Sequence, residues 1–201
     1  MITVVDYGMG NLGSVKNMFK RIGVPVTVSG DPTVLAAATK LLLPGVGAFD
    51  SAMSRINSSG IREILDRKAL QERIPILGVC LGMQLLTRSS EEGQLPGLGW
   101  INAEAVRFPP KQGLKVPHMG WNIARPTRHS ALTAGLEDEA RFYFVHSYCV
   151  KVDDEADSVL KTDYGIRFDA AIESGNIYGA QFHPEKSHKF GMQLLTNFAR
   201  L

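Results

Sequence analysis

Cys80 lies in the pentapeptide Gly78-Val79-Cys80-Leu81-Gly82, between the apolar run Pro75 to Val79 and a helical pattern carrying Met83, Leu85 and Leu86. A cysteine at a strand-to-helix turn, with glycine two residues away on either side, has the pattern of a nucleophile elbow with sulfur in place of oxygen. Such a turn holds its nucleophile in a strained backbone and aims it out of the sheet. The helix that follows lowers the thiol pKa and offers the Leu81 amide to a developing oxyanion. A free cysteine is commonly inert packing, and the paired glycines are what argue against that here. A thiol nucleophile also needs a base and a group that orients the base. Among five histidines, His183 stands in Gln181-Phe182-His183-Pro184-Glu185, delivered by the strand-like run Ile177 to Phe182. Pro184 biases His183 toward extended backbone. Residues two apart on an extended chain face one side, which sets Glu185 against the imidazole. Read instead as metal ligands, His183, Glu185 and His188 match no zinc spacing, so no metal site is expected. Cys149 has no glycine neighbours and falls in the alternating run Phe142 to Val150, where packing explains it.

A second motif competes. Gly8-Met9-Gly10-Asn11-Leu12-Gly13 follows a strand and opens a helix, as a dinucleotide fingerprint does, and Asp31 stands about where a ribose-binding acid belongs. The alternative is a glycine turn that brings backbone close to another surface. The second alternative is favoured, because the chain has little length for a separate substrate domain.

These residues must be positioned by the elements around them. Ile2 to Val5, Val24 to Val28, Leu41 to Leu43 and Pro75 to Val79 read as strands. Helical spacing through Leu12, Val15, Met18, Phe19 and Ile22, and again through Ile61, Ile64, Leu65 and Leu70, separates them. Asp31-Pro32 opens a short helix or turn. A β-α-β-α order predicts a parallel sheet with helices on both faces. The second half is richer in strand-like runs: Ala103 to Phe108, Arg141 to Val150, Ser158 to Thr162, Asp169 to Ile172 and Ile177 to Phe182, then a closing helix over Phe190 to Leu201. One mixed sheet in a single domain, 1–201, is expected. The 201 residues carry 22 Lys and Arg against 20 Asp and Glu, a formal net charge of +2, which leaves no electrostatic footprint for nucleic acid. The start lacks a basic n-region, and the most apolar stretch, Ile74 to Leu86, is too short to span a membrane. With only two cysteines, a reduced, cytoplasmic protein is expected.

With Pro44-Gly45-Val46-Gly47 added to the elbow and the His-Pro-Glu tripeptide, the chain resembles the class I (triad) glutamine amidotransferases. Pro-His-Met-Gly-Trp-Asn at 117–122 and Tyr-Phe-Val-His-Ser-Tyr at 143–148 narrow the resemblance to the glutaminase subunits of imidazole glycerol phosphate synthase. The resemblance implies a three-layer α/β fold, flavodoxin-like, with a mixed, mostly parallel sheet. It implies a Cys80, His183, Glu185 triad, with Leu81 and Val46 amides as oxyanion donors. By the same analogy Gly47, Gln84, Glu92, Ser147 and Tyr148 hold glutamine, Glu92 at the α-ammonium and Gln84 at the carboxylate end. Asn11, Trp121, Tyr143 and Lys186 would face a partner, a (β/α)8-barrel synthase subunit in a heterodimer. That partner would use the ammonia to make imidazole glycerol phosphate and aminoimidazole carboxamide ribotide in histidine biosynthesis, with no cofactor. A paralogue feeding another acceptor, such as a sugar-modifying enzyme, would carry the same catalytic residues. His118 and His146 either line this region or pack. The two glycines of Pro44-Gly45-Val46-Gly47 permit a peptide flip that turns the Val46 amide toward or away from the oxyanion, so activity is expected to rise when the partner binds.

Overall fold

The computed structural model describes residues 1–201. Its first half alternates strand and helix: β1 (Ile2–Val5), α1 (Leu12–Arg21), β2 (Val26–Ser29), α2 (Pro32–Ala36), β3 (Lys40–Gly45), α3 (Phe49–Ser58), α4 (Arg62–Asp66), β4 (Ile76–Cys80) and α5 (Leu81–Leu85). The helix ends follow from local chemistry. The Asn11 side chain accepts from the Ser14 amide to start α1, and Asp31 accepts from the Thr33 and Val34 amides to start α2, with Pro32 in the first turn. Gly23, at φ +74°, follows the end of α1.

The second half supplies β5 (Ser89–Ser90), β6 (Ala103–Arg107), β7 (His118–Ile123), β8 (Arg125–Pro126), β9 (Arg141–His146), β10 (Tyr148–Val152), β11 (Ser158–Tyr164), β12 (Ile166–Ser174), β13 (Ile177–Ala180) and α6 (His188–Arg200). The main sheet runs β2-β1-β3-β4-β13-β12-β10-β6-β5. The five strands from β2 to β13 are mutually parallel, and β12 then reverses direction. A 2-1-3-4 order followed by a fifth parallel strand is the flavodoxin-like arrangement, in which sites form beyond the carboxyl ends of the strands. Although β13 comes near the end of the chain, it inserts beside β4, pairing Ala180 with Val79. On the other side β3 pairs Gly45 with Cys80. Three separate stretches of sequence thus reach one edge of the sheet side by side.

Alternation along the strands divides the core. Ile2, Val4, Leu42, Leu77 and Val79 pack with Phe19 of α1 and Leu194 and Phe198 of α6. Val5, Leu41, Leu43 and Ile76 pack on the opposite face with Leu35, Phe49, Met53 and Leu65 of α2 to α4. Helices therefore cover both faces, as expected. None is long and apolar enough to cross a membrane.

Several expected boundaries move. The run Arg141 to Val150 is not one strand. Ser147 bends the chain, β9 pairs with β7 in a separate two-stranded sheet, and β10 joins the main sheet. Strand alternation through Phe142, Phe144 and His146 gives way to consecutive burial of Cys149 and Val150, because β10 is covered on both faces. β7 carries its apolar residues Met119, Trp121 and Ile123 at every second position, but Met119 and Trp121 face out while His118 is buried, the reverse of an ordinary half-buried strand. β2 begins only after Pro25, and β13 ends at Ala180, before the Gln181-Phe182 bend.

Close backbone approach locks the β4–α5 turn. A Cβ on Gly82 would overlap the Leu43 carbonyl oxygen, and one on Gly78 would come within 2.6 Å of the Gly82 carbonyl oxygen. Gly13 in the first turn of α1 has open space around it. Gly82→Ala is therefore expected to lower stability by at least about 1–3 kcal/mol. Gly13→Ala should raise it by roughly 0.5–1 kcal/mol. Urea unfolding of the two variants checks both signs.

Candidate active site

Cys80 adopts φ +55° and ψ −112°, a region an L residue enters only when its surroundings force it. The residue is almost fully buried, and its sulfur has the Val145 carbonyl oxygen and the Gln181 Nε2 donor each at 3.9 Å. Leu81 is the first residue of α5, so its amide has no acceptor within the helix.

His183 follows β13 and is held by its backbone as well as its ring. Its amide donates to the Tyr143 carbonyl oxygen at 2.9 Å, and its own carbonyl accepts from Ser187 Oγ at 2.6 Å. The Tyr143 amide donates to the same Ser187 oxygen at 3.0 Å. Ring atom Nδ1 bonds Glu185 Oε1 at 2.7 Å, and both side chains are buried. Glu185 reaches the ring because residues Pro184–Lys186 form a 3-10 turn after extended His183, where an extended tripeptide was expected. Burial by itself would drive the imidazole neutral. The hydrogen bonds and charges of Cys80 and Glu185 outweigh burial and push His183 up to about 10. His183 is thus an imidazolium at neutral pH, shared between the Cys80 sulfur and the Glu185 carboxylate. Because the folded pKa lies above the ordinary 6.5, the pair stabilises the fold fully below about pH 6.5 and loses that contribution as pH rises through about 10.

These groups open on a cavity of about 350 Å³ lined by Val46, Gly47, Cys80, Leu81, Gln84 and Glu92 from the first half of the chain. Pro117, Val145, His146, Ser147, Tyr148 and His183 complete it. Every residue expected to hold substrate or oxyanion is therefore on one wall or another. Glu92 Oε2 accepts from the Phe49 amide at the start of α3 at 2.9 Å, leaving Oε1 for a cation in the cavity. Gln84 differs from expectation. Its Nε2 donates to the Tyr148 carbonyl oxygen and to Gln181 Oε1, both at 3.1 Å. With both hydrogens spent, Gln84 offers a ligand an acceptor and cannot grip a carboxylate.

Trp121, Tyr143 and Lys186 come together near the active site. Trp121 meets Tyr143 edge to face at 6.1 Å, and Lys186 Nζ lies 5.7 Å from the Tyr143 ring centre. His188 stacks on Trp121 at 5.4 Å instead of joining His183 and Glu185. Asn11 is exposed and spends its Oδ1 on capping α1. The dinucleotide reading fails on geometry. The Asp31 carboxylate is engaged by the α2 amides, and Gly13 lies against no strand. The glycine turn instead backs Pro44-Gly45-Val46-Gly47: Gly10 abuts Pro44, and Met9 abuts Gly47.

Three residues of the site had no role assigned from sequence. Gln181 carries no motif of its own, and its only signal is its place two residues before His183. Ser187, which ties His183 to β9, had none. Tyr7 donates its hydroxyl to the Pro44 carbonyl oxygen at 2.7 Å, and burial together with the Cys80 charge holds the phenol protonated.

Replacing Glu185 by Gln removes the charge that stabilises the imidazolium. Alkylation of Cys80 by iodoacetamide at pH 7 is expected to slow about tenfold, the scale of one weakened charge-assisted hydrogen bond to the imidazolium. Cys149 serves as internal control, since burial pushes its thiol up to about 12. An unchanged rate at Cys80 would show that Glu185 does not support the ion pair. Peptide mapping by mass spectrometry separates the two cysteines.

Residues 3–201 match the family described as glutamine amidotransferase class-I. Over 200 residues the chain is 51% identical to imidazole glycerol phosphate synthase subunit HisH 2 of Methanococcus maripaludis, covering 100% of this chain and 99% of that one. It is 49% identical over 204 residues to imidazole glycerol phosphate synthase subunit HisH of Bdellovibrio bacteriovorus, covering 100% of each. Among solved structures, PurLQS from Thermotoga maritima is similar with a TM-score of 0.78 at 17% identity, over 99% of this chain and 97% of that one. A glutamine amidotransferase from Thermotoga maritima is similar with a TM-score of 0.66 at 17% identity, over 98% of this chain and 80% of that one. At those identities the structures speak for the fold, while the sequence relatives speak for the family. The chain belongs to the class I glutamine amidotransferases and, among them, to the family of HisH subunits of imidazole glycerol phosphate synthase.

Proposed function

We propose that Cys80, His183 and Glu185 hydrolyse the side-chain amide of glutamine to glutamate and ammonia, and that a synthase subunit takes up the ammonia. The observation that carries this is the single imidazole bonded to Glu185 and interacting with Cys80 beside the cavity. The Cys80 thiolate attacks the amide carbon, and the electron pair of the carbonyl moves to oxygen. The Leu81 and Val46 amides receive that oxyanion. The His183 imidazolium protonates the amide nitrogen, the C–N bond breaks, and ammonia leaves a γ-glutamyl thioester. Neutral His183 then takes a proton from water as the hydroxyl adds to the thioester, and collapse of that adduct releases glutamate and restores the thiolate–imidazolium pair. Each proton and electron pair is accounted for by protein groups and water, with no cofactor. Glu92 Oε1 takes the substrate α-ammonium, and Gln84, Gly47, Ser147 and Tyr148 enclose the rest.

The partner is a (β/α)8-barrel synthase subunit in a cytoplasmic heterodimer, which aminates a histidine-pathway nucleotide. Val46, Met119 and Trp121 are large apolar residues exposed in the region of the site, as a docking face requires. Tryptophan and tyrosine are typical anchors for such a face. Direct transfer has a physical reason, since ammonia released to water is diluted and protonated. Val46 is well placed to gate the chemistry. Losing one oxyanion donor costs about 2.7–4 kcal/mol, or roughly 10²–10³ in rate.

Cys80→Ala is expected to abolish glutamine hydrolysis, while the reconstituted pair still makes product from added ammonium salt. Near wild-type glutamine hydrolysis in that variant would overturn the nucleophile. In the wild type, binding of the partner and its acceptor should raise kcat for glutamine. Equal kcat with and without them would remove the switch.

A further inference from the structure

β7 and β9 pair with His118 directly opposite His146. Both imidazoles are buried, and their protonation can be deduced from their neighbours. His146 Nδ1 lies 2.7 Å from the Tyr148 carbonyl oxygen, which only accepts, so Nδ1 carries the hydrogen. The ring is neutral, which leaves Nε2 as an acceptor. His118 Nδ1, at 3.0 Å, must then donate to it. His118 Nε2 in turn accepts from Asn122 Nδ2 at 3.3 Å. Direction is fixed at every link from Asn122 through His118 and His146 to Tyr148.

The relay continues beyond Tyr148. Its carbonyl oxygen also receives Gln84 Nε2, which shares its second hydrogen with Gln181 Oε1, and Gln181 donates to the Cys80 sulfur. Burial pushes His118 down to about 4. It pushes His146 down to about 3, overcoming the Tyr148 bond and assisted by repulsion from His118 and His183. Both rings are therefore neutral at neutral pH, where His183 is charged. His118 stacks between Tyr164 at 4.0 Å and Phe144 at 4.8 Å. A phenylalanine would suit that aromatic cage without burying polar atoms. The two histidines are more polar than packing requires.

We propose that His118 and His146 are positioning residues: a neutral pair that holds the Ser147–Tyr148 wall of the cavity, and through Gln84 and Gln181 the Cys80 sulfur, in register with the strand that carries Trp121. The proposal rests on the glutaminase reading and names what keeps that pocket in shape. Asn122 adjoins Trp121 in sequence, so a shift of β7 under a docked partner reaches the cavity through bonds of fixed direction. Loss of the pair acts mainly on how glutamine is held.

His118→Phe keeps the aromatic stacks and removes the donor to His146. His118→Asn places an amide nitrogen near the former Nδ1 and restores it. For His118→Phe the KM for glutamine is expected to rise roughly tenfold, the scale of one unpaired buried acceptor, with kcat changing less than about threefold. His118→Asn should return KM most of the way. A His118→Phe protein with wild-type Tm and wild-type KM overturns the proposal, as does a His118→Asn protein no better than His118→Phe. Should His118→Phe fail to fold, long-range ¹H–¹⁵N correlation spectra of the wild type decide. The hydrogen on Nδ1 of both rings supports the relay, and a hydrogen on Nε2 of either breaks it. Glutamine titrated calorimetrically into Cys80→Ala, with and without His118→Phe, keeps the two readings apart. No binding to Cys80→Ala counts against the glutaminase reading, whereas equal affinity in both counts against the relay alone.

Discussion

Cys80 occupies a conformation that costs a non-glycine residue on the order of 1–3 kcal/mol, and the packing of β3, β4 and α5 leaves it no other. The three elements touch through backbone at Gly45, Gly78 and Gly82, where added side-chain carbons would collide with main-chain atoms. That interlock turns the thiol outward at the sheet edge and puts the first amide of α5 next to it. The Gly45–Cys80 register brings the Val46 loop alongside, and the Ala180–Val79 register brings His183. The proposed catalytic constellation is thus a consequence of strand order: β13 must sit beside β4 for His183 to reach Cys80.

Electrostatics then sorts the histidines by their neighbours. His183, His118 and His146 are all buried, and burial lowers the pKa of each. Only His183 has a carboxylate and a thiol to oppose that effect, and it alone emerges charged. His118 and His146 have each other, a backbone carbonyl and aromatic rings, so they remain neutral hydrogen-bonding groups. One region therefore contains a charged imidazole and, beside it, a neutral hydrogen-bonded pair. Gln84 and Gln181 connect the two.

What could be read beforehand had a local cause. Glycines flanking Cys80 announce a tight turn, and His183-Pro184-Glu185 holds an imidazole and a carboxylate within three residues, so the meeting of Cys80, His183 and Glu185 is legible in short motifs. The parallel half was visible because its strands are short apolar runs between helical spacings. The second half was harder. The break at Ser147 lies inside continuous strand-like composition, and only the division between two sheets reveals it. β7 alternates in the inverse sense, with Met119 and Trp121 exposed and polar His118 buried, so its apolar positions do not mark a core face. Gln181 acts through contacts with residues far away in sequence, Gln84 and Cys80, which no spacing rule anticipates. Gln84, expected at the carboxylate end of the substrate, lines the cavity with both its donors committed to the protein.

In the proposed reaction the Cys80 sulfur becomes covalently bonded to the γ-carbonyl carbon of glutamine. Rapid acid quenching of the turning-over protein, followed by proteolysis and mass spectrometry, tests that step most directly. The expected result is a γ-glutamyl thioester on the peptide containing Cys80, formed only with glutamine and discharged on incubation at neutral pH. Turnover of glutamine with no adduct on Cys80, or with the adduct on Cys149, would contradict it.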